Sequence, residues 1–131
     1  MLKKTIKFID YFGDEREEDF YFNLSKAELM KLQLGTVGGL TERIKTIMST
    51  KNVPAMMDLF EDIILKSYGE KSEDGRRFIK NDELAKAFSE TPAYEELFME
   101  ILTEEGAAAN FIKGIIPAEL AKELESQEAS N

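Results

Sequence analysis

The sequence predicts an α+β protein, mostly α: an N-terminal antiparallel β-hairpin followed by a compact bundle of about five to six short helices. Three observations carry this expectation. Apolar and polar residues alternate on both sides of a glycine-containing turn near the N-terminus. From Met56 onward apolar residues recur at three- and four-residue steps. Helix-start residues (Ser25, Asn52, Asn81 and Thr91) stand just ahead of the apolar stripes.

The hairpin is expected over about 4–24. Ile6 and Phe8 share one face of the first strand, and Ile9 falls on the other. After Gly13-Asp14, Phe20, Phe22 and Leu24 share one face of the second. The run Asp14-Glu15-Arg16-Glu17-Glu18-Asp19 is expected at the exposed end of the ribbon. A lone hairpin is marginal in water, so its apolar face must pack on helices or on another subunit.

The helices follow over about 26–117. Ser25-Lys26-Ala27-Glu28 is a capping box, in which hydroxyl and carboxylate each satisfy an amide of the other residue. It opens a short helix holding Leu29, Met30 and Leu32 that fades at Gly35. Gly38-Gly39 breaks the chain before a second helix marked by Leu40, Ile44, Ile47 and Met48. Asn52 and Pro54 start a third, striped by Met56, Leu59, Phe60, Ile63 and Ile64, with Gly69 as its left-handed closing residue. Asn81 caps a short helix with Leu84, Ala87 and Phe88. Thr91-Pro92 opens one lined by Tyr94, Leu97, Phe98, Ile101 and Leu102. Gly106 precedes a last segment of small residues that Gly114 and Pro117 punctuate. The expectation is a single globular domain over 1–117, with 118–131 a marginal helix or disordered tail.

Composition bounds the chemistry. The 131 residues are 43% hydrophobic and 33% charged, as in a soluble globular protein, and nine Phe, four Tyr and six Met supply a core. Lys and Arg number 17 against 26 Asp and Glu, a net charge of −9. Such a surface repels nucleic acid, although an acidic DNA mimic or host-directed inhibitor would carry the same charge. Histidine and cysteine are absent, which excludes disulfides, thiolate nucleophiles, imidazole catalysis and zinc sites of the usual kind. The N-terminus leads into alternation and so is not read as a signal peptide, and no apolar run approaches the ~20 residues that span a bilayer.

Candidate sites are few. Glu70, Ser72 and Asp74 before Gly75 have the flavour of a calcium loop, but Arg76 and Asn81 stand where ligands are needed, so a solvated turn is expected. Gly35-Thr36-Val37-Gly38-Gly39 lacks the Lys-Ser/Thr of a phosphate loop. The carboxylates Asp58, Glu61, Asp62, Glu95 and Glu96 lie opposite apolar stripes and read as surface charge. No catalytic residue, cofactor or metal is expected. Arg76, Arg77 and Phe78 form the one basic-aromatic cluster; it either grips an acidic partner or pairs with the chain's own glutamates. Met56 and Met57, with Met48, are either an adaptable recognition surface or core packing.

The order of residues in Phe20–Leu29, Ile63–Lys80, Thr91-Pro92-Ala93-Tyr94 and Gly114-Ile115-Ile116-Pro117 resembles the tail assembly chaperones of phages with long non-contractile tails. The resemblance implies a non-enzymatic protein of the infected host's cytoplasm, absent from the finished virion. Its implied partners are the tape measure protein, which it keeps soluble, and the major tail protein, which it helps to recruit. The resemblance also implies a homo-oligomer, and a short form beside a longer frameshifted one. Partner contacts are expected at Met56, Met57, Tyr68, Arg76, Arg77 and Phe78.

Overall fold

The computed structural model describes residues 1–31, 49 and 51–118. The glycine-rich connection at 35–39, the helix expected at 40–48 and the tail beyond 118 lie outside them. Among the described residues, five helices stand behind a four-stranded antiparallel sheet in the order β1-β2-β3-β4. Strand β1 (Leu2–Ile9) pairs with β2 (Glu15–Phe22), in a register that sets Leu2 opposite Phe22 and Ile9 opposite Glu15. Alternation then sends Leu2, Lys4, Ile6 and Phe8 toward the helices, while Lys3, Thr5, Lys7 and Ile9 face out and are exposed.

Two expectations about this ribbon change. The turn occupies residues 10–14, so Glu15–Asp19 form most of β2 instead of the ribbon's end. The Asp10 side chain starts the turn early, which frees the acidic run to pair with β1. The sheet is also larger than a hairpin. Tyr68–Lys71 is strand β3, antiparallel to the end of β2, and Phe78–Ile79 is β4, paired with β3.

Gly69 therefore does not close a helix in a left-handed conformation; it lies within β3. A Cβ there would sit 2.7 Å from the Ile79 carbonyl oxygen and 2.8 Å from Phe78 Cε2, so glycine is required by close approach.

Helix starts follow the sequence signals. In α1 (Lys26–Lys31) the Ser25 amide donates to Glu28 Oε1 at 3.0 Å and the Glu28 amide to Ser25 Oγ at 3.2 Å, completing the capping box. Asn52 caps α2 (Val53–Ser67), Asn81 caps α3 (Asp82–Ser89) and Thr91 caps α4 (Pro92–Thr103), each side-chain oxygen accepting from an amide three residues on. The last helix, α5 (Ala107–Ile115), runs through Gly114 instead of stopping there, because that glycine packs against Leu2.

The core gathers Ile6, Phe22 and Leu24 from the sheet side with Leu59, Phe60, Ile63 and Ile64 of α2, Phe88 of α3, Leu97 and Ile101 of α4, and Phe111, Ile112 and Ile115 of α5. Phe22 is fully buried and meets the rings of Tyr68, Phe88 and Phe111 at centroid distances of 5.8, 5.7 and 5.3 Å. The Leu24 amide donates to the Ile115 carbonyl at 2.7 Å, tying the end of β2 to the end of α5.

Phe88→Ala is expected to cost about 3–5 kcal/mol and Gly69→Ala about 1–3 kcal/mol, both read as a lowered urea midpoint.

Candidate functional site

Among the described residues, the most exposed large hydrophobic side chains lie at the hairpin turn: Ile9 at 61%, Tyr11 at 85% and Phe12 at 91% of full exposure. The turn that presents them is held by Asp10. Its Oδ1 accepts from the amides of Phe12 (2.9 Å) and Asp14 (3.0 Å), and its Oδ2 accepts from Arg16 Nε at 2.6 Å. Backbone bonds from the Asp10 amide to Asp14 O and from the Gly13 amide to Asp10 O close the loop, with Gly13 at φ 90°. The Arg16 hydrogen bond, and then the amides, hold the Asp10 carboxyl below its ordinary range. Tyr11 reaches α3 through a long contact, 3.5 Å from its hydroxyl to the Glu90 carbonyl. Two aromatic rings thus stand in water on a backbone with little freedom, an arrangement suited to anchoring contacts.

Sequence reading did not single out Tyr11 and Phe12. The signal was present: Asp-Tyr-Phe-Gly-Asp places aromatics where an aspartate-nucleated turn turns side chains outward.

The expected contact residues fall into two groups. Tyr68, Arg76, Arg77 and Phe78 share the β3–β4 ribbon, with both arginines exposed near its tip. Tyr68 is half-buried and stacks on Phe88 at 4.3 Å, so much of its ring serves the core. Burial, with Glu70 and Glu18 nearby, raises its hydroxyl pKa. Phe78 is half-buried over Gly69. The intervening turn satisfies itself: Ser72 Oγ donates to Asp74 Oδ1 at 2.7 Å, and the amides of Arg76 and Arg77 donate to Asp74 and Ser72. The Ser72 hydroxyl, and then the Arg76 amide, lower the Asp74 pKa. Met56 packs against the core and Met57 is 41% exposed, both near the start of α2. Eleven residues of helix, about 16 Å, separate Met57 from Tyr68, so the structure does not bring the two groups together.

Lys80, the residue after β4, organises the seam beside this ribbon. Its ammonium donates to the Asn23 carbonyl at 2.8 Å and the Lys66 carbonyl at 3.2 Å, and pairs with Glu28. One cation thus joins the end of β2, the last turn of α2 and the first turn of α1, where it also complements the helix C-terminus. Burial pushes the Glu28 carboxyl upward, but Lys80 and the Ser25 amide outweigh it and the net pKa is lowered.

Among the described residues no group of three or more carboxylates could hold a metal ion, and no helix is long and apolar enough to cross a membrane. The carboxylates Asp58, Glu61, Glu95 and Glu96 are exposed on helix faces, with Glu96 at an open hollow beside Phe8 and Arg16 of the hairpin.

The described residues form an α+β fold that presents an ordered aromatic tip and a charged ribbon. The family model described as phage tail assembly chaperone matches residues 1–131, the whole chain, and the protein belongs to that family. Neither the curated proteins nor the solved structures yielded a match.

Two outcomes follow from the titrating groups. Glu28 has a folded pKa below its unfolded 4.5, so its contribution is present above that value and lost as pH falls through the folded one. Lys80→Met should lower stability by about 1–3 kcal/mol at neutral pH by leaving carbonyls without a donor, and should flatten the acid limb of the stability profile. Burial, with Glu61 adding to it, pushes Tyr94 up to about 12 from 10.0. The stability it lends is whole below pH 10 and lost as pH rises toward 12, so denaturation of Tyr94→Phe over that window should be less steeply pH-dependent than that of the parent.

Proposed function

We propose that this tail assembly chaperone binds the tape measure protein, keeps that long apolar protein soluble and helps to recruit the major tail protein as the tail tube polymerises. The observation that carries the reading is the aromatic tip, Ile9, Tyr11 and Phe12, on its Asp10-braced turn. Exposed aromatics on a pre-ordered loop lose little conformational entropy on binding and fit grooves between apolar side chains of amphipathic helices. The net charge of −9 keeps a loaded complex apart from its neighbours.

Mechanistically the reading is reversible masking. The apolar stripes over Met56–Tyr68 and Tyr94–Leu102 are largely used by the core: Leu59, Phe60, Ile63, Ile64, Leu97 and Ile101 are buried. Among the described residues, the apolar surface left for a client is the tip together with exposed Met1, Val53, Met57 and Met99. The β3–β4 ribbon, with Arg76, Arg77 and Phe78, is a second contact zone. Each patch is small, so retention requires several weak contacts, supplied by self-association or by several copies along one client. Weak contacts let polymerising tail protein displace the chaperone in the host cytoplasm, before the virion is complete. An acidic DNA mimic fits less well, because carboxylates of Asp10, Glu17, Glu18 and Asp62 are paired with Arg16, Lys7 and Lys66 instead of forming an uninterrupted track.

Co-expression with the tape measure protein of the same phage should raise that protein's soluble yield several-fold. Tyr11→Ser with Phe12→Ser should abolish the gain while leaving the chaperone's own thermal midpoint unchanged. An unchanged yield with the parent chain would overturn the reading; an unchanged gain with the double variant would remove the tip from it.

A further inference from the structure

Among the described residues, one edge of β1 has no strand beside it. The Asp10 amide donates to Asp14 O, and in a strand successive residues turn their N–H and C=O to opposite edges. Even-numbered residues of β1 therefore bond to β2, and Lys3, Thr5, Lys7 and Ile9 turn theirs away from it. The same parity holds on β2, where the Asn23 amide donates toward β3, to Ser67 O at 2.8 Å. Among the described residues β1 pairs with β2 alone. An eight-residue edge strand with exposed alternate residues is a template for another strand.

Charge makes that template selective. Lys3 and Lys7 stand on the outer face at either side of Thr5, and Lys3 has no ion-pair partner among the described residues. A second β1 laid antiparallel about Thr5 would set lysine against lysine, which opposes self-pairing. An acidic strand meets no such penalty, and β2 shows the fit: Glu17 lies 3.7 Å from Lys7, and Thr5 Oγ1 donates to Asp19 at 2.6 Å.

The inner side of the same edge offers a cavity of about 190 Å³. Leu2, buried Leu97 and Ile101, and Phe111 line it, the Lys4–Glu100 ion pair (3.0 Å) borders it, and no residue of β2 touches it. It therefore lies on the open side of β1. An added strand would direct alternate side chains into this space, and the carboxylates around it favour an apolar one over an acid.

We propose that the open edge of β1 is a strand-addition site for an extended segment of a partner protein. That segment runs antiparallel to β1, with carboxylates at alternate positions on its outer face and an aromatic or aliphatic side chain on the inner face that fills the cavity beside Leu2. The site is separate from the aromatic tip and does not depend on which client the tip engages.

The test uses the full chain and a labelled synthetic peptide with the sequence of residues 14–23, which already matches β1 position by position. Binding is followed by fluorescence anisotropy, and amide hydrogen exchange is followed by NMR. The peptide should slow exchange at Lys3, Thr5 and Lys7 and leave the even-numbered amides of β1 unchanged. Thr5→Pro removes an outward amide without touching the β1–β2 backbone bonds, and should weaken binding about tenfold or more. Thr5→Ala loses the same hydroxyl but keeps that amide, and should bind clearly more tightly than Thr5→Pro. Lys3→Glu with Lys7→Glu should weaken binding by about tenfold. The proposal is overturned if the outward amides are already protected in the free protein, if they gain no protection, if Thr5→Pro binds like the parent, or if even-numbered amides lose protection because the peptide has replaced β2. Should Thr5→Pro fail to fold, the exchange pattern of the parent chain decides.

Discussion

The contact on which the rest of this structure depends is that between Phe88 and the rings around it. Phe88 stacks on Tyr68, meets Phe20 and Phe22 of β2, and takes the edge of Tyr94 at 5.7 Å. Those four rings come from β2, β3 and α4, while Phe88 belongs to α3, so one buried side chain fixes four elements. Each such aromatic pair adds about 0.5–1.5 kcal/mol to the value of the buried area itself. The sheet has few other means of holding its third strand, since β3 meets β2 through only Tyr21–Gly69 and Phe22–Tyr68. Aromatic packing compensates for a short ladder.

That arrangement also explains why the hairpin can extend beyond its support. Its Phe20–Phe22 end is anchored by the aromatic cluster and by the Leu24–Ile115 hydrogen bond, while its turn lies at the far end of two eight-residue strands. A free turn would fray. Asp10 prevents this with three side-chain hydrogen bonds, one of them charge-assisted by Arg16. The tip is therefore ordered by local polar chemistry, not by burial, which leaves its aromatic rings available to a partner.

Much of the fold was legible because it rests on local signals. The capping box at Ser25 and the caps at Asn52, Asn81 and Thr91 each mark a helix start by a hydrogen bond within three residues, and such a bond depends little on tertiary context. The first hairpin was legible from alternation. Strands β3 and β4 were not, because four and two residues are too few to show a period and their pairing is decided by Phe22, some 46 residues upstream of Tyr68. Gly69 was misread for the same reason: a glycine after a helical stripe looks like a terminator, and only the approach of Ile79 and Phe78 reveals its role. The candidate site was less legible still. Exposed Tyr11 and Phe12 contradict the rule that aromatics go inside, and no periodicity marks a residue in a five-residue turn.

The charge pattern and the exposed aromatics belong to one design problem. A chain that shows Phe12 and Tyr11 to water invites association with any apolar surface, including its own copies. Asp14 and Glu15 flank the tip in sequence, and Glu17 and Asp19 continue down the outer face of β2, so two tips approaching each other bring like charges together. Lys3 and Lys7 serve the neighbouring strand in the opposite sign, opposing β1-to-β1 pairing. An apolar tip ringed by acids discourages its twin yet still admits a neutral or basic helix, and a basic edge discourages its twin yet admits an acidic strand. Selectivity in both places comes from the repulsive element, because the attractive one, a ring or a row of amides, is indifferent to its partner's identity.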